Sequence, residues 1–517
     1  MKRKSAPLLV LIALWPAVFG QAAEPDYFAL AKGYADAMIE RGRDTYGAKH
    51  TPLFASTIDL RTMRMPSATS EATKKLYERY FRSEDFSTST NPLFDTDFYQ
   101  LLDALTQITG DRKYRGAADD ALRFFFEHCQ SPTTGLMAWG EHLGWDLVDD
   151  KITILSGGKV SDTHEFFGPW IHWKQSLRVA PEACHRFALG LWRHQIYDPK
   201  TCEFSRHAHF SKHGPGRGYE FARDAGFYIA TWASVYKTTK DPELLQAIRQ
   251  MLAAYRRWRI PETGLLPFET KSPRVVFVLN QLSFMVDVWD GAALVPPELG
   301  REMREFVAEL DESFFRIPHD LKPGGRGFAK IVDGKTREVT NRVLAESPGR
   351  EAYLKQNPRL LETRYAPYGG LWGSAYGAAA YTDARHAVLC GQRYRQIEKT
   401  RYRELVLATA DRYLDAEPPA SETLTPKTLA PVIGLLDAAF RCSSDTKYLA
   451  RAEHFAALAI RKLCRPNIPL PCATERFAET PYYVAESHPG SLMLMAFDLW
   501  LLKNGKQADL VLQCSIR

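Results

Sequence analysis

The residues best suited to chemistry are concentrated in one part of the chain, where eight of the 14 histidines fall between positions 142 and 213. Segments 139–142, 164–170 and 204–209 combine imidazole with carboxylate or guanidinium groups. Imidazole together with carboxylate suits a divalent transition metal such as Mn, Co, Ni or Zn, whereas Ca²⁺ prefers oxygen ligands alone. There is no H-E-x-x-H motif and no paired-cysteine motif. The pattern predicts a metal site; the competing interpretation is that these histidines are hydrogen-bonded packing residues.

The order of these residues resembles that of the family 2 polysaccharide lyases. His142 stands in an aromatic-glycine segment, Glu165 follows it, and Arg206 and His207 are adjacent further along. The resemblance implies a pectate lyase built on a toroid of seven helical hairpins. It further implies that His142, Glu165 and His207 hold the metal, typically manganese with cobalt or nickel as alternatives, and that Arg206 is the catalytic base.

The chemistry of such a reaction explains why a metal and a base would stand side by side. β-Elimination from a 4-linked uronate removes the C5 proton and expels the C4 oxygen. A divalent ion on the uronate carboxylate stabilises the charge that develops, and a base must reach C5. Arginine is normally protonated and is therefore an awkward base. If Arg206 does not serve, His209 or His164 is the substitute.

Other side chains near the cluster are candidates for substrate binding. The basic candidates are Lys174, Arg217 and Arg223. The aromatic candidates are Trp145 and Trp170, with Trp139 and Trp173 less favoured. Guanidinium and ammonium groups would pair with uronate carboxylates, and indole rings would stack on sugar faces. The competing interpretation places the basic residues on the solvated surface and at least two of the tryptophans in the core.

The elements that must position these residues are predicted to be helical hairpins. Leu244, Ile248, Met251 and Tyr255 form an apolar stripe at helical spacing, after an Asp241–Pro242 start signal. Comparable stripes start at Tyr114, Tyr402 and Tyr448. Each follows a helix rich in small and aromatic residues, at 94–108, 219–236, 372–381 and 428–440. Short connections make partners antiparallel, and recurring hairpins predict an all-α fold, an (α/α) toroid of about seven hairpins.

Two insertions interrupt the helical pattern. The first, 139–218, contains the histidine cluster and strand-like stretches at 145–148 and 151–155. The second, 317–345, contains strand-like stretches at 328–332 and 336–339 around Asp333–Gly334, which predict a β-hairpin. Long ordered loops on a rigid scaffold commonly carry function.

The amino terminus and the composition bear on location and partners. A basic start, an apolar stretch at 6–19 and small residues after it predict a signal peptide over 1–23, followed by a single catalytic domain over 24–517. The protein is therefore expected to be secreted or periplasmic, with no membrane and no nucleic-acid partner. A net charge of +6 mildly favours an anionic polymer. Cys464 and Cys472 are a candidate disulfide, and the oligomeric state stays open.

The leading hypothesis is a pectate lyase acting on polygalacturonate or oligogalacturonides. The first alternative is an (α/α)-toroid glycoside hydrolase acting on uronate-containing oligosaccharides through paired acids. The acids available for it are Asp146, Asp162 and Asp224. A sugar epimerase with a histidine pair and a non-catalytic periplasmic carbohydrate-binding protein are further alternatives.

Overall fold

A computed structural model gives the fold and describes most of the chain. The residues described are 25–66, 88–156, 159–160, 162–214, 216, 218–348, 350–373, 381–476, 478, 481–506, 510, 512 and 514–515. The predicted signal peptide over 1–23 and the candidate Arg217 lie outside the described residues.

Helices form most of the regular structure. They are α1 (Tyr27–Arg41), α2 (Thr96–Thr109), α3 (Arg112–His128), α4 (Trp173–Val179), α5 (Pro181–Gly190), α6 (Ala222–Thr239), α7 (Pro242–Trp258), α8 (Val278–Gly291), α9 (Pro297–Phe314), α10 (Arg342–Ala345), α11 (Glu351–Gln356), α12 (Asp383–Ile397), α13 (Thr400–Asp411), α14 (Pro426–Ser443), α15 (Thr446–Leu463) and α16 (Pro489–Lys503). None of the helices in the described part is long and apolar enough to cross a membrane.

The strands are short and lie between helices. They are β1 (Thr57–Asp59), β2 (Ser89–Thr90), β3 (Leu143–Asp146), β4 (Lys151–Ser156), β5 (Lys159–Val160), β6 (Thr163–Glu165), β7 (Ile196–Asp198), β8 (Glu203–Phe204), β9 (His207–His209), β10 (Val275–Phe277), β11 (Ile331–Asp333) and β12 (Tyr482–Val484). Strands β2 to β5 form one sheet in chain order, and the others pair two by two as β1–β12, β6–β9, β7–β8 and β10–β11.

The helices form a closed ring of antiparallel pairs. Helices α2, α16, α14, α12, α8 and α6 contact one another in that order, and α4 and α5 fill the remaining space between α6 and α3. The pairs are α2–α3, α4–α5, α6–α7, α8–α9, α12–α13, α14–α15 and α16–α1. The inner helices α8 and α16 are buried on nearly every side, as expected of helices packed between an outer layer and a filled centre. The predicted all-α (α/α) toroid with small β-containing insertions is confirmed.

Helix α7 shows why the sequence pattern predicted these hairpins. The Asp241 side chain accepts a hydrogen bond from the Glu243 amide at 2.9 Å, which caps the helix start next to Pro242. The predicted stripe of Leu244, Ile248, Met251 and Tyr255 is entirely buried against the inner layer.

One inner helix was predicted in the wrong place. The partner of α13 is α12, whereas the prediction put it at 372–381; Trp372 is not helical, and residues 374–380 lie outside the described part. The buried face of α12 carries Arg385, His386 and Arg393. These polar residues hid its apolar periodicity, while the small residues before it imitated an inner helix.

The predicted hairpin at 328–339 is present in part. The Asp333 amide donates to the Glu338 carbonyl at 2.9 Å and the Thr340 amide to the Ile331 carbonyl at 3.1 Å, and an isolated bridge joins Val332 to Val339. On its other side, strand β11 pairs with β10 in the register Val275↔Asp333 to Phe277↔Ile331. Both β10 and β11 are fully buried, whereas 335–338 is largely exposed, so the second half of the predicted hairpin does not form a regular strand. The strand predicted at 151–155 is present as β4, and the strand predicted at 145–148 lies two residues earlier, as β3. Cys464 and Cys472 are free thiols, so the candidate disulfide between them is absent.

Candidate metal centre

The pairing of β6 with β9 brings two of the predicted ligands together. Their antiparallel register places Thr163 opposite His209, His164 opposite Ala208, and Glu165 opposite His207. Residues directly opposite each other leave a sheet on the same face. Glu165 Oε1 accordingly lies 3.4 Å from His207 Nε2.

A glycine brings the third ligand to the same place. Gly140 has a φ of +103°, and a Cβ added there would lie 2.3 Å from the Glu165 carbonyl oxygen. Only glycine therefore permits this close approach of the chain to β6. The Asn91 side chain donates hydrogen bonds to the carbonyls of Gly140 at 3.1 Å and Leu143 at 3.2 Å. His142 Nε2 lies 3.7 Å from Glu165 Oε2 as a result.

The three residues form a compact donor set suited to a metal ion. Donor atoms of His142, Glu165 and His207 lie within 4.8 Å of one another, and the three could hold an ion. Glu165 Oε2 and His207 Nε2 are buried and make no hydrogen bond to any described residue, which is costly unless a further partner is bound. Two imidazoles and one carboxylate fit a divalent transition metal and leave coordination positions open for substrate.

The charge of Glu165 is fixed by its surroundings. This carboxyl is only 1% exposed, and burial alone would raise its pKa. The neighbouring His207, Arg206 and His142 outweigh burial and hold the pKa of Glu165 at about 2. The carboxylate is therefore ionised across the whole physiological range, as metal coordination requires.

Arg206 projects beside this donor set. Its Nε lies 3.6 Å from Glu165 Oε1 and 3.9 Å from Glu220 Oε2. The guanidinium carbon lies 4.8 Å from the ring centroid of Phe221, so the side chain rests on an aromatic face. Two side chains hold the peptide on which it stands: the Glu220 carboxylate accepts hydrogen bonds from the Arg206 amide at 2.9 Å and the Ser205 hydroxyl at 3.2 Å.

The second side chain that holds the Arg206 peptide, Gln195, comes from a π-helical turn. After α5 the chain continues as a π-helix over Leu191–Gln195, a rare conformation that is enriched at functional sites. Gln195 is 2% exposed, and its side-chain amide donates to the carbonyls of Ser205 at 2.5 Å and Arg206 at 3.2 Å. Sequence reasoning missed both Gln195 and Glu220, because neither belongs to a recognisable motif and their partners depend on tertiary structure.

The structure separates the two substitute bases from the metal-ligand candidates. His164 points to the opposite face of β6, is fully buried and bonds through Nδ1 to the Met137 carbonyl at 2.7 Å. Burial lowers the pKa of His164 to about 4. His209 shares the face of His207, but its Nδ1 lies 3.6 Å from an Asp162 oxygen. Neither lines the cavity described next among the described residues.

A cavity in the centre of the ring opens beside Glu165 and Arg206. The basic residues that line it are Arg206, Arg223, Arg350, Arg364, Arg385 and Lys427. The acidic residues that line it are Glu141, Glu165 and Glu486. Burial and the neighbouring Arg223 lower the pKa of Arg385 to about 10. Burial also lowers the pKa of Lys427 to about 8, with Glu486 opposing and Arg385 reinforcing the shift. Cations concentrated in a low-dielectric cavity attract anionic ligands.

Of the predicted substrate-binding residues, Arg223 reaches this cavity and the others described do not. Lys174 is exposed on α4 and lines a separate groove on the outside of the ring with Arg112 and Asp119. Trp145 and Trp170 are 5% and 3% exposed, so neither offers a face for a sugar. The prediction for these three is corrected: the side chain of Lys174 points outward from the ring, and the two indoles belong to the core.

The remaining cavity cations were missed by sequence reasoning. Arg350, Arg364, Arg385 and Lys427 lie far from the histidine cluster in the chain: the first two come from the insertion between α9 and α12, and the other two from α12 and α14. Arg223, Arg385 and Lys427 each lie in the first turn of an inner helix, and this shared position was the only sequence signal that could have indicated them.

The acids considered for a hydrolase are not arranged as a catalytic pair. Asp146 accepts hydrogen bonds from the amides of Val148 at 2.8 Å and Asp149 at 2.9 Å, which fixes a turn. Asp162 bonds to Ser211 on the exterior. Asp224 is 1% exposed, and burial raises its pKa to about 7. None of the three is among the described residues that line the central cavity.

Comparison with known proteins gives one family match. Residues 68–227 match a family model described as periplasmic pectate lyase. This segment contains every residue of the candidate metal centre and Arg206, and the match confirms the resemblance to the family 2 polysaccharide lyases. It indicates a carbohydrate-processing enzyme.

Among solved structures, the chain is similar to several sugar-active proteins. A D-mannose isomerase matches with 10% identity and a TM-score of 0.48, over 94% of this chain and 100% of that one. An α-mannanase of Bacteroides thetaiotaomicron matches with 8% identity and a TM-score of 0.46, over 93% and 98%. The cellobiose 2-epimerase of Bacillus thermoamylovorans matches with 8% identity and a TM-score of 0.43, over 90% and 97%. At these values the likeness says nothing about activity.

Proposed function

We propose that this protein is a metal-dependent pectate lyase that cleaves polygalacturonate or oligogalacturonides by β-elimination in the periplasm. The observation that carries the proposal is the placement of Arg206 next to the His142, Glu165 and His207 donor set at the rim of a cationic cavity. The family match over 68–227 supports it independently.

In this proposal His142, Glu165 and His207 hold a divalent ion, manganese by resemblance, with cobalt and nickel also suited to the donors. When bound, the ion would supply Lewis-acid stabilisation of the negative charge that gathers on the uronate carboxylate. Glu165 has the part of an anionic ligand that is never protonated at working pH, since its pKa is about 2.

In this proposal Arg206 acts as the catalytic base. In its neutral form the guanidine would take the C5 proton, the C4–O bond would break, and the C4=C5 double bond would form. The expelled oxygen would take its proton from solvent. Glu165 and Glu220, at 3.6 Å and 3.9 Å from Arg206 Nε, would hold the side chain beside the donor set. Gln195 and Glu220 would hold the Arg206 peptide at a fixed distance from C5.

The cavity supports an anionic substrate. Arg223, Arg385 and Lys427 stand around it and could each pair with a uronate carboxylate. A neutral oligosaccharide could accept hydrogen bonds from these cations but would lack the charge pairing that a uronate carboxylate offers.

The test is to mix purified protein with polygalacturonate and follow the near-ultraviolet absorbance of the unsaturated product. The same assay is repeated after chelation and after manganese is added back. We expect chelation to abolish the signal and manganese to restore it. A lack of unsaturated product under every metal, on galacturonan and on other uronate polymers, would refute the lyase assignment.

A further inference from the structure

The central cavity has a floor, and the carboxyl-terminal segment of the chain provides it. Ser515 lines the central cavity, whereas Leu512 and Cys514 line a second, smaller cavity. Leu512, Cys514 and Ser515 are 5%, 3% and 8% exposed. Consecutive residues therefore face two different cavities, and the segment stands between them.

The second cavity lies deeper in the ring than the first. On α14, Lys427 lines the central cavity, and Gly434 and Arg441 further along line the second one. A helix rises 1.5 Å per residue, so these positions lie roughly 10–20 Å deeper. Helices α12 and α16 have the same order, with Arg385 and His488 at the central cavity and Arg395 and Asp498 at the second. All three inner helices thus run from the candidate active site towards the far end.

The segment is seated by specific contacts. Both carboxylate oxygens of Asp97, in the first turn of α2, accept hydrogen bonds from the Ser515 amide at 3.1 Å. Asp97 is 3% exposed, so this bond is shielded from water. On the other side, a Cβ added at Gly434 would come within 3.9 Å of the Cys514 Cβ. The segment is therefore held between α2 on one side of the bore and α14 on the other.

The walls of the central cavity come from around the ring. Besides the floor, its lining includes the segment before α2, the loop after β6 and the starts of α6, α8, α12 and α14. The insertion between α9 and α12 and the segment before α16 also contribute. In the described part of the chain the cavity is thus a well, walled by successive hairpins and closed below by Ser515. A polymer cannot pass through such a well; only an end of it can enter.

We infer that Leu512, Cys514 and Ser515 make this a chain-end enzyme, in which one end of an anionic oligosaccharide occupies the well and is released as a short product. The inference rests on the proposed function for the reaction itself, but the geometry of the well does not depend on it. The Asp97–Ser515 bond is the latch that holds the floor in place, and the segment determines specificity without touching the reacting atoms.

The hydrogen bond between Asp97 and Ser515 can be removed by substitution, and a matched control variant keeps it. Ser515→Pro lacks the amide that Asp97 accepts, whereas Ser515→Ala keeps it. Release of the segment is followed by mass-spectrometric mapping of Cys514 alkylation, since Cys514 is 3% exposed in the native protein. We expect Cys514 to react slowly in the native protein and in Ser515→Ala, and quickly in Ser515→Pro. Asp97→Ala is a second way to release it.

Chain-end and internal cleavage are distinguished by measuring the length of the products and the fall in solution viscosity during the reaction. With the native protein and Ser515→Ala, we expect short products from the first time points and a slow fall in viscosity for each double bond formed. With the floor released, we expect longer products and a severalfold steeper fall in viscosity. Internal cleavage by the native protein would overturn the inference. So would unchanged products when Cys514 is exposed, or a Cys514 that stays protected in both latch variants.

Failure of the lyase assignment is distinguished by a binding measurement that needs no catalysis. Oligogalacturonides carrying a bulky label at one end or the other are titrated into metal-free native protein in a calorimeter. A well predicts that a label at one of the two ends abolishes binding, while the label at the other end is tolerated. Equal tolerance of both labels would overturn the well, whatever the reaction proves to be.

Discussion

Glu165 lies directly opposite His207 in the β6–β9 pair, with Glu165 Oε1 3.4 Å from His207 Nε2. Strand pairing, and not the helical ring, therefore determines the distance between two of the three candidate metal ligands. A two-stranded ribbon is a firmer support for such a pair than a free loop. The register also explains why His164, next to Glu165 in sequence, is directed away from the centre.

Removing the carboxylate should remove the metal. In Glu165→Gln, two histidines lose their anionic partner, and we expect manganese affinity to fall by at least about 100-fold. Calorimetric titration and metal analysis of the purified protein measure this. His209→Ala is the matched control, because His209 is on the same face of β9 but faces Asp162; it should bind metal normally. Equal metal binding by both variants would contradict the assigned donor set.

Substitution of Arg206 should lower kcat without weakening the binding of manganese. For Arg206→Ala we expect a loss of about 10²- to 10⁴-fold in kcat with manganese affinity nearly unchanged. Arg206→Lys should recover little, because an ammonium cannot reproduce the fork held between Glu165 and Phe221. Arg249→Ala, which removes an ion pair with Glu302 on the outside of the ring, is the control. Native kcat in Arg206→Ala would exclude Arg206 as the base.

Gln195 offers a test of the clamp that holds Arg206. Gln195→Ala removes two hydrogen bonds to carbonyls of Ser205 and Arg206, and each typically contributes about 0.5–1.5 kcal/mol. We expect kcat to fall while KM and manganese affinity change little. Gln195→Glu should be worse, since it directs a carboxylate at two carbonyl oxygens. Thermal unfolding separates the effects: a large loss of stability with native kcat would mean that Gln195 only supports the fold.

The hairpins could be read from the sequence because they depend on local signals, whereas the donor set was predicted from the resemblance to the family 2 polysaccharide lyases. The stripe beginning at Leu244 and the Asp241 cap act within one helix. His142, Glu165 and His207 keep a recognisable order in the chain. The position of α12 could not be read, since its buried face carries Arg385 and His386.

The cavity was hidden for a different reason. Arg350, Arg385 and Lys427 converge only because the ring closes, and no segment of the sequence holds more than one of them. Trp145 and Trp170 were misjudged because aromatic residues near a functional cluster have the same pattern whether they line a groove or fill a core. Their exposed fractions of 5% and 3% show that both side chains belong to the core.

Lys427 should lower the stability of the folded protein and strengthen the binding of substrate. Burial lowers its pKa in the folded protein from 10.5 to about 8. The unfolded chain therefore binds more protons between pH 8 and 10.5, and stability should rise with pH across that window. Below pH 8 the burial cost is present in full, on the order of 3 kcal/mol. Lys427→Met removes it, and we expect that variant to be the more stable protein at pH 7, with the difference shrinking as the pH approaches 10.

Urea unfolding at pH 7 and pH 10 measures the stability difference, and KM for oligogalacturonide measures the cost to binding. Because Lys427 lines the central cavity, we expect KM to rise in Lys427→Met while kcat changes less. Lys174→Met is the matched control, since Lys174 is exposed on the outside of the ring and should change neither quantity. A Lys427→Met protein with native KM would show that this ammonium does not contact the substrate.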